Sequence, residues 1–501
     1  MKVCLITPPS GFLLDQRVFM SLGILKVGAV LEQAGYDVEH LDLSGVDNYE
    51  AVVRDYVRNH LCRFPDFRDI TFAITATTPQ IPAAIKIRES LRGKVILGGP
   101  HATLLNAAAK HGTERAHLGL LQLLKSFDTV VAGDGERAIF RALREYGLID
   151  ADDPRSDLWA PNNFQSPWPA RHLVDVESYN YYVDGERALS MIAQLGCPFE
   201  CGFCGGRLSP MLRRARPRQH SIDIISEMLH LHDTYGVKGM MFLDDELNVN
   251  RGLVPLLKGI RATGIDWRLR GFVKAELFTD EQARAMYEAG FRWLLCGFES
   301  AHPRILRNIN KKATLADNTN MLRIAKRAGL RVKALMSIGH PAESEESILA
   351  VRDWLLEVKP DDFDCTVITT YPGTPYWDRA VPVAEGHRYV YNGDSLYMCD
   401  VDFTKEVAYY KGIPGEYRSF VWTDYISAKR LVELRDQVEE EVRTRLHIPY
   451  PSSPAAVMYE HSMGANLPQN ILRRSNDGQR DHASLQPAYA HAAGSILSRS
   501  S

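Results

Sequence analysis

The sequence lacks the features that mark several classes of protein. No apolar run reaches the roughly 18 residues of an ordinary transmembrane helix. The run before Pro8, about six residues long, is too short for the core of a signal peptide. The formal net charge is only -3, so no global basic field points to nucleic acid. We therefore predict a cytoplasmic protein without a membrane partner, for which a nucleic-acid substrate is the less favoured alternative.

Cysteine is also scarce, with 8 in 501 residues, and a cytoplasmic setting argues against disulfides. Three of these residues, Cys197, Cys201 and Cys204, crowd into one short segment and form a candidate metal site. The others are scattered, and we predict that they are inert structural residues. The scattered residues are Cys4, Cys62, Cys296, Cys365 and Cys399.

The composition otherwise describes a protein that can bury a large core, and its length suits two or three domains. Residues 1–148 alternate between strand-like and helix-like stretches. This pattern predicts an α/β fold with a doubly wound, Rossmann-like parallel sheet, whose ligands bind beyond the carboxyl ends of the strands. Four such ends are rich in small or polar residues, which suits close approach of a ligand. They are Pro8–Ser10, Thr75–Gln80, Gly98–Thr103 and Gly133–Glu136.

The rest of the chain divides into four further regions. Residues 149–187 lack clear periodicity and are predicted to be a linker. Residues 188–384 carry a second alternating series, which suits a partial (β/α)6 barrel with its active site at the carboxyl ends of the strands. Residues 385–450 form a small mixed region with a charge-rich helix. Residues 451–501 are predicted to be a disordered tail.

The segment 196–206, GCPFECGFCGG, is the most specific motif of the chain. Its CxxxCxxC spacing can wrap three thiolates round one face of an iron–sulfur cube and leave the fourth iron without a protein ligand. A chelating cosubstrate needs such an open iron. The alternative, a structural zinc site, usually takes four protein ligands. No second cysteine pair lies nearby, and Arg213, Arg214, Arg216 and Arg218 lie between the motif and His220.

With Phe203 before its third cysteine, at the start of a partial barrel, this motif resembles the radical S-adenosylmethionine (SAM) superfamily. The resemblance covers about residues 188–380. It implies that Cys197, Cys201 and Cys204 ligate a 4Fe–4S cluster whose open iron binds the amino and carboxylate groups of SAM. One electron would then cleave SAM to methionine and a 5′-deoxyadenosyl radical. Phe203 would pack beside the adenine.

Later segments match the superfamily by strand register. Acidic residues after the second strand would meet the amino group of SAM, whose N–H donors suit carboxylates; alternatively, Asp244 or Asp245 caps the next helix. Two basic residues, assigned to the end of the third strand, would meet the carboxylate or ribose; alternatively, they are solvated charges. The GFES turn resembles a strand end close to SAM, and SIGHPAE resembles a GxPxET segment with Ser344 in place of threonine. The residues assigned to SAM are Phe203, Asp244, Asp245, Glu246, Arg270, Lys274, Glu299 and Ser337.

Residues 1–148 resemble the cobalamin-binding domain that precedes many radical SAM barrels. The likeness rests on Pro8-Pro9 with Leu22–Leu25 and on the GGPHAT and GDGE turns, and the YPGTP turn at 371–375 is common in cobalamin-dependent members. The DxHxxG signature is absent, which implies base-off cobalamin without a histidine ligand, with His101 structural and the loop 77–80 below the cobalt. The residues assigned to cobalamin are Pro9, Thr77, Thr78, Gln80, Gly98, Gly99, His101, Gly133 and Glu136.

The two cofactors together imply a cobalamin-dependent radical SAM methyltransferase in which the cofactors carry the hard chemistry. One SAM would supply the methyl group through methylcobalamin, and a second would supply the radical. We predict a small-metabolite substrate, methylated at an unactivated carbon in natural-product biosynthesis, and a flavodoxin or ferredoxin as electron donor. The alternatives are a non-methylating rearrangement or cyclisation, a radical SAM enzyme whose front domain has lost cobalamin, and a non-catalytic cobalamin carrier or sensor.

Overall fold

The computed structural model describes residues 1–10, 16–63, 70–161, 167–218, 220–406 and 418–449. The predicted tail, 451–501, and the side chain of Cys62 lie outside what is described. No helix among the described residues combines the length and the apolarity that a membrane span requires. The cytoplasmic location stays a prediction.

The first part of the chain is a six-stranded sheet with the strand order β2-β1-β3-β4-β5-β6. Every neighbouring pair is parallel, so the predicted doubly wound sheet is confirmed. The order reverses between β1 and β3, which creates the crevice where such sheets bind ligands. The elements are β1 (Lys2–Thr7), α1 (Leu22–Gln33), β2 (Asp37–Asp42), α2 (Tyr49–Arg63), β3 (Ile70–Thr75), α3 (Ile81–Ser90), β4 (Lys94–Gly98), α4 (Pro100–Lys110), α5 (Glu114–Ser126), β5 (Thr129–Ala132), α6 (Gly135–Ala142) and β6 (Gly147–Asp150).

Two features of this sheet differ from the sequence prediction. The GGPHAT turn opens α4, because Pro100 occupies the first helical position, where a missing N–H costs nothing. Gly99 precedes it with a φ of 104°. The strand β6 pairs with β5 and runs across the predicted domain end at residue 148. The alternating pattern predicts five strands in residues 1–148, so the sheet is one strand wider than predicted.

The second part is a curled sheet with the order β15-β14-β13-β12-β11-β8-β7. Six of its strands are mutually parallel, and β7 is antiparallel to β8. The predicted partial barrel is confirmed. The elements are β7 (Tyr182–Val183), β8 (Glu186–Met191), β9 (Gln194–Leu195), β10 (Arg216–Pro217), α7 (Ser221–Tyr235), β11 (Gly239–Phe242), α8 (Leu253–Ala262), β12 (Arg268–Phe272), α9 (Asp280–Glu288), β13 (Phe291–Glu299), α10 (Pro303–Ile309), α11 (Leu315–Arg327), β14 (Arg331–Ile338), α12 (Glu345–Val358) and β15 (Asp362–Val367).

The mixed carboxyl-terminal region adds a short helix, a four-stranded antiparallel sheet of order β16-β17-β18-β19, and a long last helix. Its elements are α13 (Pro375–Asp378), β16 (Val381–Pro382), β17 (His387–Tyr391), β18 (Asp394–Met398), β19 (Val421–Trp422) and α14 (Ala428–Leu446).

The helix α14 covers the open edge of the barrel. The edge strand β15 would otherwise expose unpaired backbone groups. Glu439 accepts a hydrogen bond from the Cys365 N–H (2.7 Å), Arg435 donates to the Cys365 carbonyl (2.9 Å), and Arg443 donates to the Phe363 carbonyl (2.5 Å). These three side chains are spaced four residues apart, so they lie on one face of the helix and take the place of a further strand.

Candidate active site

The cysteines lie on the loop between β9 and β10, which pair as an antiparallel hairpin. The Cys197 N–H donates to the Leu212 carbonyl (3.0 Å), and the Cys204 N–H closes a turn to the Cys201 carbonyl (3.1 Å). Gly202 lies against the ring of Tyr376 so closely that a Cβ atom there would be 2.1 Å from a ring carbon. The loop is therefore fixed by the hairpin at its base and by Tyr376 at its tip.

Arg207 organises the same loop, and the sequence analysis did not identify it. Its side chain is buried and donates to the carbonyls of Cys197, Phe199 and Gly205. These carbonyls belong to the first cysteine, to a residue between the first two cysteines and to the residue after the third, so one guanidinium fixes the backbone that presents the thiols. The only sequence signal was an arginine three residues after the last cysteine.

The thiols have the chemistry of cluster ligands. Cys201 is 8% exposed and packs with Phe199, Ile305 and Ile309. Burial raises the pKa of all three motif thiols, that of Cys204 to about 12, although Arg207 opposes the shift at Cys204. Metal ligation requires thiolates, so these groups would release protons when they bind iron. A set of three sulfur donors on one loop fits a 4Fe–4S cluster with an open iron.

The acidic group after β11 supplies buried acceptors. Asp244 accepts from the Ala193 N–H (3.0 Å) through one oxygen, and its other oxygen has no hydrogen-bond partner among the described residues. The same is true of one oxygen of Glu246. Burial raises the pKa of both carboxyl groups to about 7. Asp245 is exposed. The alternative that Asp244 or Asp245 caps the next helix is wrong, because the residue before α8 is Gly252.

Glu299, Ser337 and Phe203 come together at the barrel mouth. Glu299 ends β13 with a φ of 64°, a strained conformation for a residue with a side chain. Its carboxylate accepts from the Lys311 ammonium (3.1 Å) and from the Ser337 hydroxyl (2.7 Å). Ser337 is also 2.8 Å from Nε2 of His340, whose ring centre is 5.5 Å from that of Phe203.

The two basic residues assigned to the end of the third barrel strand differ in placement. Arg270 lies in the middle of β12, not at its end, and its guanidinium is 5.6 Å from the centre of the Trp293 ring. Lys274 lies beyond the strand with its ammonium 4.2 Å from the centre of the Phe199 ring. The two side chains are 0% and 2% exposed, so the alternative that they are solvated charges is wrong.

A cavity of about 380 Å³ lies between the first sheet and the barrel. Cβ atoms at Gly23 and Gly98 would meet no atom closer than 3.8 Å, so the lack of side chains there leaves room in the cavity. Leu212, whose carbonyl accepts from Cys197, lines the barrel side. The linker contributes Trp168, and the barrel contributes the buried pair Arg218–Glu227 (2.5 Å), none of which the sequence analysis identified.

Six of the nine residues assigned to cobalamin line this cavity: Thr77, Gln80, Gly98, Gly99, Gly133 and Glu136. Pro9, Thr78 and His101 are buried and do not line it; Nδ1 of His101 lies 3.0 Å from the Thr78 hydroxyl. The Gln80 side-chain amide makes its hydrogen bonds to other residues of the same domain. Its oxygen accepts from Thr77, and its nitrogen donates to the Pro8 carbonyl.

Two aspartates join the first domain to the cysteine loop. Asp134, between the glycines of the GDGE turn, pairs with both terminal nitrogens of the buried Arg216 (2.5 and 3.2 Å). Asp152 accepts from the Ser209 hydroxyl (2.9 Å) and the Met211 N–H (3.0 Å). Both contacts reach the hairpin that carries the cysteines. The hairpin of β9 and β10 therefore carries both the cysteine loop and part of the cavity wall.

The YPGTP turn also contacts the cysteine loop. The Gly206 N–H donates to the Gly373 carbonyl (2.9 Å), and the Tyr376 N–H donates to the Gly202 carbonyl (2.9 Å). A Cβ atom at Gly373 would be 2.7 Å from Leu104 of α4. The turn thus packs where the loop, the first domain and the carboxyl-terminal region meet.

Comparison with known proteins agrees with this arrangement. A sequence model of the radical SAM superfamily matches residues 191–355. An uncharacterised methyltransferase of Pyrococcus horikoshii is 27% identical over 405 residues, 76% of this chain and 83% of that protein. The anaerobic magnesium-protoporphyrin IX monomethyl ester cyclase of Cereibacter sphaeroides is 23% identical over 379 residues, 70% of this chain and 58% of the cyclase.

Among solved structures, the radical SAM methyltransferase TsrM of Kitasatospora setae, with cobalamin and a 4Fe–4S cluster bound, superposes with a TM-score of 0.56. The sequences are 17% identical, and the match covers 75% of this chain and 73% of TsrM. Three quarters of the chain is more than all of the residues after the sheet domain, so the likeness includes residues of both the sheet domain and the barrel. The chain is thus an enzyme with a radical SAM domain at residues 191–355 and with the fold of TsrM.

Proposed function

We propose that this protein is a cobalamin-dependent radical SAM methyltransferase that methylates an unactivated carbon of a small metabolite, as in natural-product biosynthesis. The observation that carries the proposal is the position of the cavity. One wall is the carboxyl edge of the doubly wound sheet, and the other includes Leu212 on the hairpin that carries Cys197. A corrin held by the first wall would therefore face the cysteine loop.

Each part of the site has a separate task in this proposal. Cys197, Cys201 and Cys204 would hold the cluster. The free oxygens of Asp244 and Glu246 would accept hydrogen bonds from the amino group of SAM, and Glu299 with Ser337 would orient the remainder of SAM. When bound, the cluster supplies an electron that cleaves SAM, and cobalamin supplies the methyl group. The buried walls keep water from the reacting groups.

The first test is anaerobic reconstitution with iron, sulfide and hydroxocobalamin, followed by desalting, metal counts and an absorption spectrum. We expect about four irons and one cobalt per chain, with the cobalt band in the base-off position. Retention of iron without cobalt would contradict the proposal that the enzyme depends on cobalamin. In Cys201→Ala we expect loss of iron, because the cluster would lose one of three protein ligands. A Cys201→Ala protein with unchanged function would instead favour a cobalamin carrier or sensor.

The competing function is a rearrangement or cyclisation with the same cofactors, and the cyclase relative favours it. The two are separated by incubation of the loaded enzyme with SAM that carries a labelled methyl group and with candidate substrates. Label in the product, together with S-adenosylhomocysteine, supports methyl transfer. A product of unchanged carbon count without S-adenosylhomocysteine would favour the rearrangement.

A further inference from the structure

Two buried lysines, Lys274 and Lys311, lie beside the cysteine loop. Lys274 is 2% exposed, and its ammonium is 2.8 Å from the Lys311 carbonyl and 2.6 Å from a carboxylate oxygen of Glu276. Lys311 is 5% exposed, and its ammonium is 3.1 Å from Glu299. Lysine is almost never this buried unless it is paired, and each ammonium here has one carboxylate partner.

Lys274 contacts the loop directly, and Lys311 is linked to it through a backbone hydrogen bond two residues earlier in its own segment. Phe199 lies between the first two cysteines in the sequence. The Lys274 ammonium is 4.2 Å from the centre of its ring. The Gly202 N–H, next to Cys201, donates to the carbonyl of Ile309 (2.8 Å), two residues before Lys311. The Lys274 ammonium is therefore packed against Phe199 of the loop, and the segment that carries Lys311 is packed against Gly202.

We propose that Lys274 and Lys311 raise the reduction potential of the cluster held by Cys197, Cys201 and Cys204. The inference rests on the proposed function, because it requires the cluster. Three thiolates give a cluster net negative charge, and the form that has gained one electron is more negative by one unit. A buried ammonium stabilises the more negative form, since charges interact strongly where water is excluded. The potential of such clusters depends on nearby charge, hydrogen bonds and exposure.

The step concerned is a one-electron transfer from an external low-potential carrier to the cluster. It forms and breaks no bond, and the lysines neither give nor take a proton in it. They act only through the electrostatic potential at the cluster. They therefore determine how fully a given donor can reduce it.

The test is a redox titration of the reconstituted protein without SAM, with the reduced cluster followed by electron paramagnetic resonance. Lys274→Gln and Lys311→Gln are each expected to lower the ratio of reduced to oxidised cluster about tenfold at a fixed potential, which equals a shift of about 59 mV for one electron. Lys274→Arg keeps the charge and is expected to stay close to the unaltered protein.

Two further variants serve as controls of position and sign. Lys312→Gln removes the same charge from the next residue, which is exposed, and is expected to shift the potential little because water screens it. Glu276→Gln removes the negative partner of Lys274 and is expected to raise the potential. If both lysine variants fail to hold iron, the reduction potential of Glu276→Gln tests the inference instead.

The outcomes separate this inference from the proposed function. Variants that hold iron with an unchanged potential, or an unchanged potential in Glu276→Gln, would overturn the role of the lysines and leave the proposed function intact. Failure of the unaltered protein to hold about four irons would overturn the proposed function itself.

Discussion

Gly202 shows how a single residue can limit the site. Its Cα hydrogen faces the ring of Tyr376, and a Cβ atom would be 2.1 Å from that ring. The ring is fully buried, so it cannot move aside without a cost to packing. We expect Gly202→Ala to displace the loop between Cys201 and Cys204 and to retain less than roughly half of the iron after reconstitution.

The matched control is Gly205→Ala in the same loop. A Cβ atom there would be 3.5 Å from Leu104, which is ordinary contact, and the backbone needs no left-handed conformation. This variant is expected to keep its iron. Equal iron contents in the two variants would show that the contact with Tyr376 does not control the loop.

Thr103 joins the two glycine turns that border the cavity. Its hydroxyl accepts from the Gly133 N–H (2.9 Å) and donates to the Gly99 carbonyl (3.0 Å). Thr103→Val keeps the shape and removes both bonds, each of which contributes about 0.5–1.5 kcal/mol. We expect a two- to tenfold weaker affinity for hydroxocobalamin, roughly the value of one such bond, measured by equilibrium titration. Thr103→Ser, which keeps the hydroxyl, should bind normally; equal weakening in both would refute the role of the bonds.

At the scale of elements, α14 closes the barrel with charged side chains. Glu439 accepts from the backbone of β15 and from Arg443 (2.6 Å), which is 1% exposed. Glu439→Ala would leave a buried N–H without its acceptor and remove one carboxylate from a buried guanidinium. Loss of one partner of a buried pair typically costs about 3–5 kcal/mol. We therefore expect a clearly lower urea midpoint for the unfolding of this protein.

Glu440 provides the comparison, because it is the same residue type on the exposed face of α14. Glu440→Ala should change the free energy of unfolding by no more than about 0.5 kcal/mol. Similar midpoints for Glu439→Ala and Glu440→Ala would mean that β15 does not depend on α14 for its edge.

At the scale of the whole molecule, Asp152 joins the sheet domain to the cysteine hairpin and makes that junction sensitive to pH. Burial raises the pKa of Asp152 to about 6, compared with about 3.9 in an unfolded chain. Between these values the folded state holds a proton that the unfolded state has released. The contribution of Asp152 to the free energy of unfolding therefore falls as the pH rises from about 4 to about 6, and it is constant above that range.

Asp152→Asn removes this titration but keeps an oxygen that can accept from Ser209 and Met211. We expect the variant to lose less stability than the unaltered protein between about pH 4 and pH 6, with a difference of at most about 3 kcal/mol. Urea unfolding across this range measures it. Parallel pH profiles for the two proteins would contradict the raised pKa.

The sequence by itself determined five strands of the first sheet, the six parallel strands of the barrel and the position of the cysteine motif. The alternating pattern predicts strands at Ile70–Thr75 and Thr129–Ala132, and the structure has both strands with these bounds. These features are local: an apolar strand or an amphipathic helix is visible in its own residues, and the spacing of a cluster loop is contained within one short segment. The GGPHAT segment at 98–103 is predicted to be a turn but begins α4, because a glycine pair followed by proline begins a helix as readily as it forms a loop.

Only the tertiary structure decided which distant side chains meet. Arg216 meets Asp134 across 82 residues, and Glu439 reaches Cys365 across 74. Lys274 lies where the superfamily likeness predicted a SAM contact, yet its ammonium is beside Phe199 and Glu276. Such pairs depend on how the sheet, the barrel and the last helix pack, and the direction of a long side chain follows from that packing. No local pattern in the sequence contains this information.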